Sequence, residues 1–329
     1  MLTRDYTLPA YRTLLGIAAA VALTVSLYAQ QQQQPPPQDP GVTIRAGVEL
    51  VNVLATVRDG KRQLVPNLEK EEFRVFEDNK EQKIDFFTRE VNMPITLGLA
   101  IDTSISQEGV LYEEQEAATR FLKRVMKPGD LTFVVSFDVN VDLLGDFSED
   151  PSRIETAIAR ARINAPSTLG PVSRGGAAGT RLYDAVVLAC QDKLAREAGR
   201  KVLILLTDGV DAGSHYEMKK AIEIAQQTNT VIHSIVISDP NFYRGGFTSG
   251  DAVARKLAEE TGGRALYVRD PRKLDEAFQQ IEEEVRSQYV LGYYPSNRSR
   301  DGKYRKLKVQ STRKGMRILT RKGYYAPKD

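Results

Sequence analysis

Residues 95–106 have the sequence Ile-Thr-Leu-Gly-Leu-Ala-Ile-Asp-Thr-Ser-Ile-Ser. Its nearly unbroken apolar run is typical of a β-strand that is buried on both faces. Asp102, Ser104 and Ser106 then fall at the carboxyl end of the strand, the edge at which open α/β sheets bind ligands. One carboxylate and two hydroxyls suit a hard divalent cation such as Mg²⁺ or Mn²⁺. Asp and Ser also cap strand-to-helix turns, so these residues alone leave a capping role open.

Strand-like and helical patterns alternate from Met93 to residue 287. Predicted strands lie at 95–101, 131–137, 141–144, 201–209, 230–238 and 264–269. Predicted helices lie at 109–126, 151–162, 181–197, 216–226, 250–261 and 271–287. This alternation predicts an α/β fold with a doubly wound, mostly parallel, six-stranded sheet that has helices on both faces.

The two flanks of this α/β domain, residues 42–92 and 288–329, have a different pattern. Strand-like segments with turn signals between them occur at 48–57, 73–77, 84–87, 305–310 and 316–319. Each flank has too few strands to bury a core of its own. We therefore predict that 42–92 and 288–326 combine into one β-sandwich-like module, with the domain at 93–287 inserted between them.

Length and composition set limits on the remaining possibilities. The chain has 329 residues, which is a prior for two domains, and its net charge of +3 implies no particular partner. Cys190 is the one cysteine, so it cannot form an intramolecular disulfide. It lies within a helical pattern, which predicts a small core residue rather than a nucleophile.

Residues 1–29 have the pattern of a targeting segment. Arg4 and Arg12 precede an apolar run at 14–27, and Ala29-Gln30 offers a cleavage point. We expect export to the periplasm or out of the cell. Leu27 fits the cleavage pattern imperfectly, so an uncleaved anchor in the inner membrane stays open. Residues 30–41 are rich in Gln and Pro, which predicts a linker.

Three separated segments share one chemistry. They are Asp102-x-Ser104-x-Ser106 after a buried strand, Thr180 before a helix, and Thr207-Asp208-Gly209 at the end of a later strand. Together they resemble the metal-ion-dependent adhesion site of the von Willebrand factor A-type domain, over residues 93–287. The segments at 72–78 and 289–294 are similar to exported bacterial members of that family. Ile105 stands where Gly is commoner, but this position points away from the metal in such sites, so we expect little effect.

The resemblance implies a role for each residue. Ser104 and Ser106 are expected to coordinate Mg²⁺ or Mn²⁺ directly, and Thr180 is expected to do so in ligand-ready states. Asp102 and Asp208 are expected to act largely through bound water. Because the direct ligands are neutral, the cation stays electrophilic, and a carboxylate from a protein partner would complete its coordination. The implied function is cation-dependent binding or adhesion.

Two other functions stay open. A metal-dependent hydrolase needs a base near an activated water, and the sequence has no His-rich or Glu-x-x-His pattern. His215 lies near the metal edge as a candidate for ligand contact, although a solvated loop position is the simpler interpretation. His233 is predicted to be a strand residue with a satisfied hydrogen bond. An envelope scaffold with a purely structural metal is the other alternative.

The C-terminal segment is strongly basic. Residues 296–329 contain 12 Lys and Arg against 2 Asp, a net charge of +10, so the rest of the chain is near −7. The segment is predicted to form strands with one basic face. That face is either a solvated side of a sheet or a surface for an anionic envelope polymer or lipid headgroups. Export argues against nucleic acid as the partner.

Overall fold

A computed structural model of the chain describes residues 50–90, 93–163, 179–237 and 250–328. The predicted targeting segment at 1–29 and the linker at 30–41 lie outside the described residues, as does the start of the segment 42–92. Among the described residues, no helix is both long and apolar enough to cross a bilayer.

Fourteen strands and six α-helices form within the described residues. The strands are β1 (Val51–Arg58), β2 (Phe73–Glu77), β3 (Lys80–Gln82), β4 (Phe86–Glu90), β5 (Ile95–Asp102), β6 (Leu131–Phe137), β7 (Val141–Ser148), β8 (Arg200–Thr207), β9 (Thr230–Ile237), β10 (Ala265–Val268), β11 (Gln288–Tyr293), β12 (Tyr304–Ser311), β13 (Arg317–Leu319) and β14 (Gly323–Tyr325). The helices are α1 (Leu111–Val125), α2 (Pro151–Ile158), α3 (Leu182–Val187), α4 (Met218–Gln227), α5 (Gly250–Thr261) and α6 (Leu274–Arg286).

The central sheet has the strand order β10-β9-β8-β5-β6-β7. Its first five strands are parallel, and β7 pairs antiparallel with β6 across a register shift. The six-stranded, mostly parallel sheet is therefore confirmed. The predicted strand at 141–144 is longer than expected, because the edge pairing continues to Ser148.

Apolar side chains alternate between two cores on the two faces of this sheet. Leu99 and Ile101 belong to one core, packed with α1, α2 and α6. Ala100 belongs to the other, packed with α3, α4 and α5. Successive strand residues point to opposite faces, so a strand that is covered on both sides must be apolar throughout. The doubly wound arrangement is confirmed.

Cys190 is fully buried in the second core, as predicted. The predicted helix at 181–197 begins as α3 and continues as a π-helical turn, Leu188–Lys193, that contains this cysteine. Burial raises the pKa of the Cys190 thiol to about 12, so it stays protonated at neutral pH. A buried neutral thiol is a packing residue and not a nucleophile.

The flanks form two four-stranded antiparallel sheets, each with strands from both ends of the chain. Their orders are β13-β1-β11-β4 and β14-β12-β2-β3. Val53 pairs with Leu291 in the first sheet, and Val75 pairs with Val309 in the second. The inward side chains of the two sheets share one apolar core. The predicted module of two combined flanks, here called the flank sandwich, is confirmed.

The basic C-terminal strand β12 alternates between buried and exposed side chains. Lys306 and Lys308 are exposed, so one face of the strand is basic and solvated. Other basic side chains have partners within the chain: Arg305 donates to Asp301 (2.8 Å), and Arg313 donates to Glu72 (2.8 Å). Part of the excess positive charge is therefore paired with acidic side chains of the same chain.

Candidate metal centre

Parallel pairing brings the predicted site residues to one edge of the central sheet. Strands β5 and β8 are neighbours, with Ile101 opposite Leu206, so Asp102 and Thr207 end side by side. Asp208 follows directly, and Ser104 and Ser106 lie in the turn that joins β5 to α1. The sequence separates Ser106 from Asp208 by a hundred residues, but the sheet places them in contact.

Four of the five predicted ligands are joined by hydrogen bonds. The Ser104 hydroxyl donates to Asp102 Oδ1 (2.6 Å) and lies 3.0 Å from the Ser106 hydroxyl. The Ser106 hydroxyl donates to Asp208 Oδ2 (2.7 Å). The chain of contacts runs from one carboxylate through two hydroxyls to the other carboxylate. All four side chains are nearly or completely buried.

Thr180 joins this group through its backbone. Its N–H donates to the Ala212 carbonyl (3.0 Å), and the Ala212 N–H donates to the Thr180 carbonyl (2.8 Å). Ala212 lies in the loop that follows Asp208, so the two segments run together. Among the described residues, no hydrogen bond connects the Thr180 side chain to the other four. The edge cluster is defined as Asp102, Ser104, Ser106, Thr180 and Asp208.

Thr207 has a role that its place in the motif did not reveal. Its hydroxyl donates to Asp102 Oδ2 (2.7 Å) and accepts from the Gly209 N–H (3.0 Å). Asp102 is thus held at both oxygens. Gly209 has φ +80°, and a Cβ there would lie 2.2 Å from the Gly250 carbonyl oxygen. Only glycine fits this turn without strain.

Asp138 is a site residue that sequence reasoning missed. It lies just after β6 and is 6% exposed. One carboxylate oxygen accepts from the Thr103 hydroxyl (2.9 Å), and its carbonyl accepts from the Arg181 N–H (2.8 Å). Asp138 therefore links the residue after Asp102 to the residue after Thr180. An aspartate in a turn after a strand gives no sequence signal for this function.

Electrostatics make the edge cluster suitable for a cation. Burial, and next the negative charge of Asp208, raise the pKa of Asp102 to about 7, although hydrogen bonds from Ser104 and Thr207 oppose the rise. The negative charge of Asp208 thus disfavours ionisation of Asp102. A divalent cation between them would remove this repulsion, and the hydroxyls supply neutral oxygen donors. The residues fit a hard divalent cation.

Hydroxyl groups belong to three of the five side chains of the edge cluster, and a bound cation would need them. In the part of the chain that the structure describes, no group of three or more His, Cys, Asp or Glu residues is arranged to hold a metal ion. The cluster contributes only two carboxylates, so Ser104, Ser106 and Thr180 are needed to complete a coordination shell. Such a shell consists only of oxygen donors.

The two histidines lie in different environments. His215 has a 71% exposed side chain, and its Nδ1 lies 2.9 Å from Asp184 Oδ2. His233 lies in β9 as predicted, but its ring nitrogens have no hydrogen-bond partner among the described residues. The predicted satisfied hydrogen bond of His233 is therefore wrong. The nearest carboxylate oxygen, on Glu284, is 3.8 Å from Nδ1, too far for a hydrogen bond.

Comparisons with known proteins give a consistent assignment for this fold. The model of a family described as von Willebrand factor type A domain matches residues 97–280. A calcium-activated chloride channel regulator 1 from Bos taurus is 27% identical over 184 residues, which are 54% of this chain and 18% of that protein. This chain therefore spans less than a fifth of the length of that relative.

Solved structures with a similar fold come from animals and bacteria. Proximal thread matrix protein 1 from the mussel byssus, solved with a zinc-occupied MIDAS motif, is 16% identical with a TM-score of 0.50. The similarity covers 64% of this chain and 50% of the mussel chain. A von Willebrand factor type A protein from Catenulispora acidiphila is 12% identical with a TM-score of 0.46, over 86% of this chain and 75% of that chain.

Proposed function

Because the chain belongs to the von Willebrand factor type A family, with a match over more than half of its length, we propose that it is an exported protein that binds a partner through a divalent cation at the edge cluster. Domains of this family carry metal-ion-dependent adhesion sites and mediate protein–protein interactions. The name of the Bos taurus relative refers to a calcium-activated chloride channel, and the mussel protein was solved with zinc at its MIDAS motif. Neither name specifies the ion of this chain.

One observation carries the proposal: the continuous contact from Asp102 through Ser104 and Ser106 to Asp208. In this arrangement the hydroxyls lie between two carboxyl groups that repel each other. Ser104 and Ser106 would turn their oxygen lone pairs to a cation, while Asp102 and Asp208 would hold its water molecules. Thr180 would approach from the loop that pairs with Ala212.

The partner contributes an acidic side chain. A cation whose direct protein ligands are neutral hydroxyls keeps most of its positive charge, so it attracts a further anionic ligand. A carboxylate from a protein surface completes octahedral coordination without rearranging the buried residues. The neighbouring carboxylates, separated from the metal by water, reduce this attraction only in part.

Mg²⁺ or Mn²⁺ is the proposed cation. Every side chain of the edge cluster offers oxygen, and hard cations prefer oxygen donors. Structural zinc sites in proteins are mostly built from cysteine and histidine, neither of which belongs to this cluster. Zinc remains a useful comparison in experiments because the mussel protein holds it at the corresponding motif.

Export follows from the sequence pattern at 1–29, with Arg4 and Arg12 ahead of an apolar run. We place the folded part in the periplasm or outside the cell. If the segment is not cleaved, the linker at 30–41 would separate the folded part from the inner membrane.

A peptide-binding experiment tests this function. Random-sequence fluorescent peptides that each contain one Glu are compared with the same peptides containing Gln, in Mn²⁺ and in chelator. We expect the Glu peptides to bind in Mn²⁺ only, and we expect Ser104→Ala to abolish this binding while Ser152→Ala, at an exposed serine, leaves it intact. Equal binding of Gln peptides, or binding in chelator, would contradict the proposal. Cleavage of the peptides would favour the hydrolase alternative.

A further inference from the structure

Behind the edge cluster lie two buried polar side chains that have no visible partner. Gln107 and Glu114 are both 0% exposed. Both polar atoms of the Gln107 amide and both oxygens of the Glu114 carboxyl group lack a hydrogen-bond partner among the described residues. Buried polar atoms are nearly always hydrogen-bonded, so two buried side chains with four unpartnered atoms need an explanation.

The backbone places these two residues together and next to the site. Gln107 directly follows Ser106, and its carbonyl accepts from the Val110 N–H (3.0 Å). The Val110 carbonyl in turn accepts from the Glu114 N–H (3.0 Å). Gln107 ends the short 3-10 turn Ile105–Gln107 that contains Ser106, and Glu114 lies in the first turn of α1. Both residues therefore belong to the segment that leads from the edge cluster into α1.

Electrostatic effects connect Glu114 with the edge cluster. Burial raises the pKa of Glu114 well above its ordinary value, and the charges of Asp102 and Asp208 raise it further. These contributions require the three carboxyl groups to be near one another inside the protein. No basic side chain contributes to the pKa of Glu114 in the opposite direction. A nearby cation with its water molecules would both neutralise the Glu114 carboxylate and supply its missing hydrogen bonds.

We propose that Gln107 and Glu114 form an inner polar layer of the cation site, in which they hydrogen-bond the cation's water ligands and Glu114 adds a third negative charge. Both are positioning residues, because they act on the cation through water. This inference rests on the proposed function, since it requires a cation at the edge cluster. It assigns to the site two residues that lie outside the five-residue motif.

The neighbouring Glu113 offers a matched control. It lies in the same first turn of α1 as Glu114, carries the same charge, and is exposed to solvent. Glu114→Gln and Glu113→Gln therefore remove the same charge from the same end of one helix. Only the first change removes a buried, unpartnered carboxylate. Gln107→Met is a second test that alters no charge.

The experiment compares full-length wild type with these variants by Mn²⁺ calorimetry and by thermal unfolding in chelator. We expect Glu114→Gln to weaken Mn²⁺ binding by roughly 10- to 100-fold, the usual effect of losing an outer-shell partner. In chelator, the same variant should unfold at a higher temperature than wild type, because an uncharged amide avoids the cost of burying an ionisable carboxyl group near Asp102 and Asp208. Gln107→Met should change both quantities in the same directions by smaller amounts. The charge of Glu113 makes the smallest of the contributions that raise the Glu114 pKa, so Glu113→Gln should change both quantities far less than Glu114→Gln.

The predicted fall in Mn²⁺ affinity together with the predicted rise in unfolding temperature distinguishes this inference from a purely structural role. A structural residue would lower the unfolding temperature in chelator when it is replaced, and that result would overturn the inference. Mn²⁺ affinity within about twofold of wild type in both Glu114→Gln and Gln107→Met would also overturn it, while binding that is lost in Ser104→Ala would keep the proposed function. Failure of the wild type to bind Mn²⁺ or Mg²⁺ would overturn both.

Discussion

The flank sandwich and the edge of the central sheet both bury carboxyl groups, but the groups that surround these carboxyls differ. In the flank sandwich, Glu77 is 2% exposed and accepts from the hydroxyls of Tyr293 (2.7 Å) and Tyr324 (2.8 Å). At the sheet edge, Asp102 is held beside Asp208, which raises its pKa. One buried carboxylate is satisfied by the chain itself. The other lies beside a second acidic group, and either a proton or a bound cation would relieve the repulsion between them.

Glu284 follows the pattern of the flank sandwich. Its Oε1 accepts from Arg58 of β1 (2.7 Å) and from Arg264 (2.6 Å). Two guanidinium groups therefore neutralise this buried carboxylate and connect α6 to the first flank sheet. Glu77 and Glu284 are surrounded by donors from within the chain, whereas the edge cluster places the carboxyl groups of Asp102 and Asp208 close together and Glu114 has no hydrogen-bond partner among the described residues. We infer that this concentration of buried acidic groups marks the ligand site.

The largest effect on stability should come from Glu77. Glu77→Ala leaves the hydroxyls of Tyr293 and Tyr324 buried without their acceptor, and we expect a loss of about 3 kcal/mol in the free energy of unfolding. Mn²⁺ affinity should not change, because the flank sandwich does not contribute to the edge cluster. Denaturant unfolding and calorimetry measure the two quantities. Glu81→Ala, at an exposed position, is the control; a loss of Mn²⁺ binding in Glu77→Ala would break the comparison.

Ser104→Ala should weaken Mn²⁺ binding strongly but change the free energy of unfolding only slightly. Removal of a direct ligand should weaken Mn²⁺ binding by about 100-fold or more, equivalent to about 2.7 kcal/mol. Unfolding of the variant in chelator should differ from wild type by less than about 1 kcal/mol, since among the described residues the hydroxyl forms hydrogen bonds only within the cluster. Calorimetry against Ser152→Ala provides the measurement. Wild-type affinity in Ser104→Ala would remove this serine from the site.

Thr207→Val should have an intermediate effect. The change removes the hydroxyl that donates to Asp102 Oδ2, so Asp102 loses one of the contacts that orient it. We expect Mn²⁺ affinity to fall by about tenfold. Thr132→Val is the matched control, because the buried Thr132 hydroxyl has no hydrogen-bond partner among the described residues. An equal change in both variants would show that Thr207 acts only through packing.

His233 is a buried polar residue outside the edge cluster. Its ring nitrogens have no hydrogen-bond partner among the described residues, and it is far in sequence from every proposed ligand. Burial lowers its pKa, with the positive charge of Arg264 adding to the effect and Glu284 opposing it. The unfolded chain therefore takes up a proton below about pH 6.5 that the folded chain does not, and folding stability falls as the pH decreases. We expect a loss of about 1 kcal/mol between pH 7 and pH 5.5 that is absent in His233→Leu.

Denaturant unfolding at the two pH values measures this loss, with His215→Gln as the exposed control. A pH dependence that is identical in wild type and His233→Leu would assign the effect to other groups. If Mn²⁺ stabilises the wild type but not His233→Leu, the distinction between the edge cluster and the rest of the core would fail. That result would mean that an unpartnered polar group outside the edge cluster also responds to the ligand.

The sequence predicted the parts of the molecule that depend on local pattern. Apolar runs such as 95–101 predict buried strands. Asp102, Ser104 and Ser106 are close together in the sequence, so the motif that they form could be recognised directly. Thr180 and Asp208 could be added only through resemblance to a family. The flank sandwich was predicted because neither flank could bury a core alone, although nothing in the sequence specified that each sheet would combine strands from both ends.

The remaining features depend on contacts between distant segments. Asp138 links Thr103 to Arg181, and Thr207 holds Asp102, only because β5, β6 and β8 are neighbours in the sheet. Glu114 looks like an ordinary acidic residue in the first turn of a helix until its burial is known. The hydrogen bond assigned to His233 was wrong because a strand pattern reveals burial but not the partners of a side chain.

The position of a bound cation in crystals of the protein soaked with Mn²⁺ tests most directly whether the edge cluster is the cation site. The anomalous signal should show a Mn²⁺ ion about 2.0–2.3 Å from the hydroxyl oxygens of Ser104 and Ser106, with water between the metal and both Asp102 and Asp208. The same map should show ordered water between the metal and Glu114. Saturating Mn²⁺ with no anomalous peak at the edge cluster, or with a peak elsewhere only, would contradict the central claim.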